Sequence, residues 1–158
     1  MQVWRIASAS LHYKADDLSG HGAELTGGRW NSKGTPAVYC AAHVSLACLE
    51  TLVHLNAASL PLNRYVVEVT IPDSVWDKRA IAPIKKLPTT WNAIPAGMES
   101  VAWGDAWLKA NTAAVLQVPS AIVAQDNVVL INPRHPDAKR IKAVVRERFM
   151  YDGRLLLT

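Results

Sequence analysis

The sequence predicts an α+β domain, in which strands and helices follow one another without regular alternation. Half of the 158 residues are apolar and 19% are charged, the composition of a globular domain with a real core. Residues 64–71 alternate between two faces and are stopped by Pro72, which predicts a half-buried strand. Residues 44–55 contain neither glycine nor proline and have helical periodicity, which predicts a helix.

The elements of the N-terminal half are predicted from short local patterns. Residues 2–7 alternate between two faces and predict the first strand. Residues 12–26 have little periodicity and contain glycine and aspartate, so they predict a long loop, of the kind that is often functional. A Gly-Thr-Pro turn at 34–36 precedes a short apolar strand at 37–41.

The C-terminal half combines one helix with several short strands. Residues 76–97 are rich in proline and lysine and predict a segment that winds over the surface. Residues 99–112 predict a helix, with Trp103 and Trp107 four positions apart on one face. Turn residues separate the remaining apolar runs, which predict strands at 115–118, 121–124, 128–131 and 144–151.

Charge and cysteine content indicate the kind of ligand or partner and the cellular compartment to expect. The net charge is +4, which favours an anionic ligand or an acidic partner without requiring nucleic acid. No apolar run approaches the length of about 18 residues that predicts a membrane span, and the N-terminus does not resemble a signal peptide. Cys40 and Cys48 form neither a disulfide framework nor a zinc motif. We therefore expect a cytoplasmic protein without membrane contact.

One stretch, residues 27–50, contains the candidate site. Gly27 and Gly28 allow close approach of the backbone, and Arg29 then presents a planar fork that suits phosphate. The turn at 34–36 folds the chain back, so we expect Tyr39 and Glu50 to meet Arg29 in one cleft. The alternative for Glu50 is a glutamate at the border of a helix that reaches solvent.

Other motifs are excluded. The segment 20–25 begins like a dinucleotide fingerprint but lacks the third glycine and follows a loop. The chain contains no Walker loop, no His-Glu-x-x-His and no Gly-x-Ser-x-Gly motif. The histidines have no spacing typical of metal ligands, so no metal is expected. Trp30 is expected to fill the core.

An ordered set of motifs along the chain resembles the RES domain. The family takes its name from an arginine, a glutamate and a serine, which correspond here to Arg29, Glu50 and Ser120. The resemblance covers nearly the whole chain and implies a single RES domain over residues 1–158. The matching residues are Trp4-Arg5, Gly27-Gly28-Arg29-Trp30-Asn31, Gly34, Tyr39, Glu50, Pro119-Ser120, Asn132-Pro133, His135-Pro136, Phe149 and Tyr151-Asp152-Gly153-Arg154-Leu155.

The resemblance implies a fold and an activity. RES domains resemble ADP-ribosyltransferases, with a mixed, split β-sheet, flanking helices and NAD in the cleft as substrate. The family consists of bacterial toxins that consume NAD by hydrolysis or phosphorolysis of the nicotinamide–ribose bond, which causes growth arrest. Some members instead transfer ADP-ribose to a protein. An Xre-like antitoxin is the expected partner, blocking the NAD cleft, and a homodimer within the toxin–antitoxin complex is left open.

The resemblance also implies roles for individual residues. The implied catalytic residues are Arg29, Tyr39 and Glu50. Glu50 would stabilise the cation that develops on the ribose, and Tyr39 would stack on the nicotinamide. The implied NAD-binding residues are Arg5, Arg29, Asn31, Tyr39 and Ser120.

Two alternatives to NAD degradation stay open. One is an ADP-ribosyltransferase that modifies a cellular protein with the same site. The other is a basic nucleic-acid-binding module, suggested by the charge and by six tryptophans.

Overall fold

One seven-stranded mixed sheet forms the centre of the protein. The computed structural model describes residues 1–9, 13–55 and 61–156. The strand order is β4-β5-β6-β2-β1-β3-β7, and all neighbours are antiparallel except the parallel pair β4 and β5. The strands are β1 (Gln2–Ser8), β2 (Val38–Ala41), β3 (Arg64–Thr70), β4 (Ala80–Ile81), β5 (Val115–Pro119), β6 (Asn127–Ile131) and β7 (Lys142–Phe149).

The sheet is split between β1 and β2. These two strands pair only at Trp4 and Ala41, whereas β1 pairs with β3 over the whole of β1. The sheet therefore has a four-strand half (β4-β5-β6-β2) and a three-strand half (β1-β3-β7). The predicted α+β class with a mixed, split sheet is confirmed.

The helices are short and lie between strands. The α-helices are α1 (His21–Thr26), α2 (Val44–Leu52), α3 (Asp73–Trp76) and α4 (Met98–Ala110). Short 3-10 helices occupy Ile84–Lys86, Pro136–Arg140 and Gly153–Leu156. In the part of the chain that the structure describes, no helix is long and apolar enough to cross a bilayer.

The two faces of the sheet pack differently. On the first face one continuous cluster includes Val3, Val38, Cys40 and Val67. The opposite face, which we call the cleft face, carries two separate clusters. One packs α4 and the loop around Trp30 against β5 and β6, and the other packs α2 against β1 and β3. The boundary between the two clusters crosses β2, and the candidate site lies at this boundary.

Three predictions about elements are wrong. The predicted loop at 12–26 contains α1, although His12 lies outside the described residues. The predicted strand at 121–124 is a turn, because Asp126 N donates to Val123 O and closes the connection between β5 and β6. The predicted surface segment at 76–97 contains β4 and buries Leu87 and Trp91.

The strand β3 is buried more completely than its alternating pattern predicted. Its two edges pair with β1 and β7, and its two faces are covered by side-chain packing, Val67 on the first face and Val66 on the cleft face. Glu68, on the predicted polar face, is only 8% exposed. Arg146 of β7 compensates the buried charge of Glu68 with a bidentate contact. Its Nε and Nη2 each donate to a carboxylate oxygen at 2.9 Å.

Candidate active site at the split in the sheet

A tight turn after α1 presents Arg29. Gly28 N donates to Asn31 O at 2.9 Å and closes the turn. Gly27 has φ of 72°, in the left-handed region that favours glycine. A Cβ atom on Gly28 would lie 2.6 Å from the Tyr39 hydroxyl oxygen. Gly27 is therefore required for the backbone conformation, and Gly28 is required for the approach of Tyr39.

Asn31 connects this turn to the surrounding chain through side-chain hydrogen bonds. It is 1% exposed, and its Nδ2 donates to Ala23 O at 2.9 Å and to Thr35 O at 2.8 Å. Its Oδ1 accepts a hydrogen bond from the Tyr39 hydroxyl at 2.7 Å. Both amide hydrogens are thus engaged inside the protein, and the contact between Asn31 and NAD stays a prediction.

Trp30 anchors the turn in the core, as the sequence predicted. It is 2% exposed, stacks on Trp91 at 6.4 Å between centroids and meets Trp103 edge-on at 5.6 Å. A Cβ atom on Gly104 would lie 2.1 Å from Trp30 O, so α4 rests directly on the backbone of the turn. Asp105 Oδ1 also accepts a hydrogen bond from Ser32 N at 2.9 Å. The turn is consequently held by side chains that do not touch the cleft.

Arg29 is oriented by two backbone carbonyls. Its Nη1 donates to Trp91 O at 2.8 Å and to Ala93 O at 2.9 Å. Its Nε and Nη2 make no hydrogen bond to any residue within 1–9, 13–55 and 61–156, so one edge of the fork is available to a ligand. Burial lowers the pKa of Arg29, and nearby Glu50 and Tyr39 oppose that shift. The guanidinium stays charged, and the available edge has the geometry that binds phosphate.

Tyr39 turns its hydroxyl into the protein. The hydroxyl donates to Asn31 Oδ1 and accepts from Trp30 N at 3.0 Å. Burial raises the pKa of Tyr39 well above its ordinary value, so the phenol is neutral at physiological pH. The remaining part of the side chain that a ligand can contact is the ring.

Ser120 orients Glu50. The Ser120 hydroxyl donates to Glu50 Oε1 at 2.7 Å and accepts from Ile122 N at 3.0 Å and Val123 N at 3.1 Å. Ser120 is 0% exposed. Its hydroxyl hydrogen is used on Glu50, whereas Glu50 Oε2 makes no hydrogen bond to the described protein. The geometry gives Ser120 a positioning role, and its direct contact with NAD stays a prediction.

Arg5 is not brought together with the cluster of Arg29, Tyr39 and Glu50. Alternation along β1 places Arg5 on the first face with Val3, whereas Tyr39 points to the cleft face. Arg5 Nη1 donates to Asp17 O at 3.0 Å, and its buried Nε has no partner among the described residues. The predicted NAD-binding role of Arg5 therefore has no support in this arrangement.

A hollow of about 440 Å³ lies beside Asp17, away from the cluster. Its lining does not include Arg29, Tyr39 or Glu50. The lining of this hollow does not bring together an arginine fork edge and an oriented carboxylate. We place the candidate site at the cluster. The lining residues are Tyr13, Lys14, Asp16, Asp17, Ser19 and His21.

Two groups that shape the site were missed by sequence reasoning. The Trp91 and Ala93 carbonyls hold Arg29, but a backbone carbonyl has no signature in a sequence. Thr51, next to Glu50 on α2, accepts a hydrogen bond from the Tyr151 hydroxyl at 2.7 Å. Tyr151 belongs to the matched C-terminal motif, which was the available signal. No group of three or more potential metal-ligating side chains occurs among the described residues.

Comparisons with known proteins agree on one family. The model of the RES domain matches residues 2–152. The Prs ADP-ribosylating toxin of Sphingobium sp. (strain YBL2) is 50% identical over 153 residues, covering 97% of this chain and 95% of the relative. Toxin Res of Yersinia enterocolitica is 37% identical over 156 residues, covering 98% and 99%. In the crystal structure of the M. tuberculosis MbcT–MbcA toxin–antitoxin complex, one chain matches with a TM-score of 0.64 at 19% identity, covering 98% and 86%, which shows a shared fold.

The hydroxyl of Tyr39 yields a prediction about stability and pH. Tyr39→Phe leaves Trp30 N and Asn31 Oδ1 without their partner, so we expect a loss of about 1–3 kcal/mol in the free energy of unfolding at pH 7. Above about pH 10 the unfolded tyrosine ionises while the folded phenol stays neutral. Proton release then favours the unfolded parent, so the free energy of unfolding of the parent falls as pH rises. The difference in this free energy between the parent and the variant therefore becomes smaller.

Urea unfolding at neutral pH and at about pH 11 measures both effects. Tyr65→Phe is the matched control at neutral pH, because the Tyr65 hydroxyl makes no hydrogen bond to the described residues. A Tyr39→Phe variant as stable as the parent at pH 7 would contradict the assigned network.

Proposed function

The chain belongs to the RES-domain family, and from that premise we propose that it is a toxin enzyme that cleaves the nicotinamide–ribose bond of NAD at Arg29, Tyr39 and Glu50. One observation carries the proposal. A guanidinium with an available edge and a carboxylate with an available oxygen converge at the split in the sheet, each oriented by the protein.

Arg29 is suited to hold the pyrophosphate. Because Trp91 O and Ala93 O occupy Nη1, the edge formed by Nε and Nη2 is fixed before the ligand arrives. A fixed fork loses little conformational entropy when it binds two phosphate oxygens. The net charge of +4 favours the approach of the dianionic pyrophosphate of NAD.

Glu50 is suited to assist bond cleavage. When the bond between the ribose carbon and the nicotinamide nitrogen breaks, both electrons leave with nicotinamide, which departs as a neutral molecule. The ribose carbon becomes an oxocarbenium-like centre. A carboxylate oriented by Ser120 stabilises that charge and binds a ribose hydroxyl through Oε2. Water or phosphate then adds to the carbon, and water's addition releases one proton to solvent.

Tyr39 is suited to position the nicotinamide. Its hydroxyl is engaged with Asn31 and Trp30, so the ring is held at a fixed angle on the cleft face. Stacking on a fixed aromatic ring restrains a planar leaving group without a charged contact.

A second candidate function, transfer to a protein, is favoured by one relative. The Sphingobium protein that is 50% identical is named a Prs ADP-ribosylating toxin. Transfer to Prs has the same first step, after which a nucleophilic side chain of the acceptor attacks the ribose carbon and loses its proton to solvent. We propose this as the alternative fate of the same intermediate.

The nucleic-acid alternative has less support. Trp30, Trp91 and Trp107 are buried, and Trp76 lies beneath the Arg79 guanidinium at 4.3 Å. All six tryptophans are buried or half-buried, so they offer no platform on which bases stack.

We propose that a cytoplasmic, Xre-like antitoxin blocks the cleft with an acidic or C-terminal segment. The available edge of Arg29 binds a carboxylate as well as a phosphate. We expect the purified complex to bind NAD weakly and the isolated chain to bind it well, as measured by calorimetry with the Glu50→Gln variant, which should cleave NAD slowly. A complex that takes up NAD with the affinity of the isolated chain would exclude occlusion.

Substitutions at Glu50 and Ser120 test the mechanism. Glu50→Gln keeps the side-chain volume but removes the charge that offsets the oxocarbenium, so NAD cleavage should fall by about 100-fold or more. Ser120→Ala should lower kcat by less, with KM nearly constant, because it removes the group that orients Glu50 rather than the carboxylate itself. Release of nicotinamide measures both, and Glu147→Gln on β7 is the control. NAD cleavage by Glu50→Gln at the parent rate would overturn the assignment.

A further inference from the structure

Two exposed apolar side chains lie on the loop that orients Arg29. Ile94 is 89% exposed and Met98 is 88% exposed, higher than any other large apolar side chain that the structure describes. The next highest is Met150 at 71%. We call residues 91–98 the rim loop, because the carbonyls of Trp91 and Ala93 within it bind Arg29.

The rim loop is held in place at both ends. At its start, Trp91 is 6% exposed, stacks on Trp30 and donates its backbone N–H to Pro88 O at 3.0 Å. At its end, the Thr90 hydroxyl donates to Glu99 Oε2 at 2.6 Å and so ties the chain before the loop to the first turn of α4. Ile94 and Met98 are therefore presented to solvent by a fixed segment beside the candidate active site.

Hydrolysis of NAD gives no physical reason for this arrangement. Water reaches the ribose carbon without contact to the rim, whereas an acceptor protein has to bring a side chain to that carbon and touch the rim as it does so. Large apolar side chains that protrude at a functional opening are typical of protein-binding surfaces. Lys85 and Lys86 are exposed basic residues on the 3-10 helix that precedes the rim loop in the chain.

We propose that the rim loop docks the acceptor protein, through Ile94 and Met98 against an apolar patch bordered by acidic residues. This inference rests on the second candidate function, transfer of ADP-ribose to a protein. In that transfer the bond from ribose carbon to nicotinamide nitrogen breaks with its electron pair leaving on nicotinamide. A lone pair of the acceptor side chain forms the new bond, and the proton of that side chain passes to solvent.

The test separates docking from catalysis by measuring two reactions on the same variants. Ile94→Ser and Met98→Gln are assayed for labelling of purified Prs with labelled NAD, and for nicotinamide release without acceptor. We expect labelling to fall about tenfold, the effect of losing one buried apolar anchor, with nicotinamide release unchanged. Leu62→Gln is the matched control, since Leu62 is 65% exposed but precedes β3 in the three-strand half. Equal thermal unfolding of all variants verifies the fold.

The outcomes are distinguishable. Labelling by Ile94→Ser and Met98→Gln at the parent rate, or an equal loss in Leu62→Gln, overturns the docking role. A loss of both reactions assigns the rim to NAD binding and also overturns it. Calorimetry with the antitoxin is run on the same variants: if labelling is unchanged but antitoxin binding weakens, the occupant is the antitoxin and the proposal fails. If the parent releases nicotinamide but does not label Prs, the docking proposal fails and the proposed NAD cleavage stands. If the parent does neither, both proposals fail.

Discussion

The hydrogen bond from the Tyr39 hydroxyl to Asn31 Oδ1 joins the central sheet to the turn that carries Arg29. The bond requires the absence of a side chain at Gly28, because a Cβ atom there would collide with the Tyr39 hydroxyl. Arg29 in turn binds the carbonyls of the rim loop. This buried contact fixes the turn to β2, together with the stacking of Trp30 and the hydrogen bond from Ser32 to Asp105, and a network of this kind is costly to satisfy only in part.

The two halves of the sheet depend on side chains where the backbone ladder is interrupted. Only the pair of Trp4 and Ala41 joins β1 to β2. The hydrogen bond from Ser120, which follows β5, to Glu50, on the helix that packs against β1 and β3, spans the same boundary. The split in the sheet is therefore also the place where the oriented carboxylate links the two halves. This hydrogen bond orients the candidate carboxylate and links the halves on the cleft face, while one continuous apolar cluster joins them on the first face.

The sequence predicted those elements whose pattern is local. Strand β3 and helix α4 have apolar periods long enough to be recognised, and both lie within two residues of their predicted bounds. Strand β4 has two residues and no measurable period, so it was missed. The run at 121–124 has the apolar character of a strand, but the Ser120 hydroxyl accepts two backbone N–H groups there and favours a turn.

The sequence predicted those parts of the candidate site that are side chains within the matched RES-domain motifs. Arg29, Tyr39 and Glu50 converge as expected, while Arg5 does not join them. Alternation along β1 separates Arg5 from Trp4, but only the packing of α2 and α4 on one side of the sheet decides which of them faces the cleft. The carbonyls that orient Arg29 depend on the path of the rim loop, which no residue type specifies.

The central claim is that NAD occupies the cleft face at the split in the sheet. A crystal structure of Glu50→Gln with NAD tests it most directly, because that variant should hold the dinucleotide uncleaved. We expect the pyrophosphate on the Nε and Nη2 edge of Arg29, with the nicotinamide against the Tyr39 ring. NAD bound instead in the hollow beside Asp17, on the side of the sheet where Arg5 lies, would contradict it.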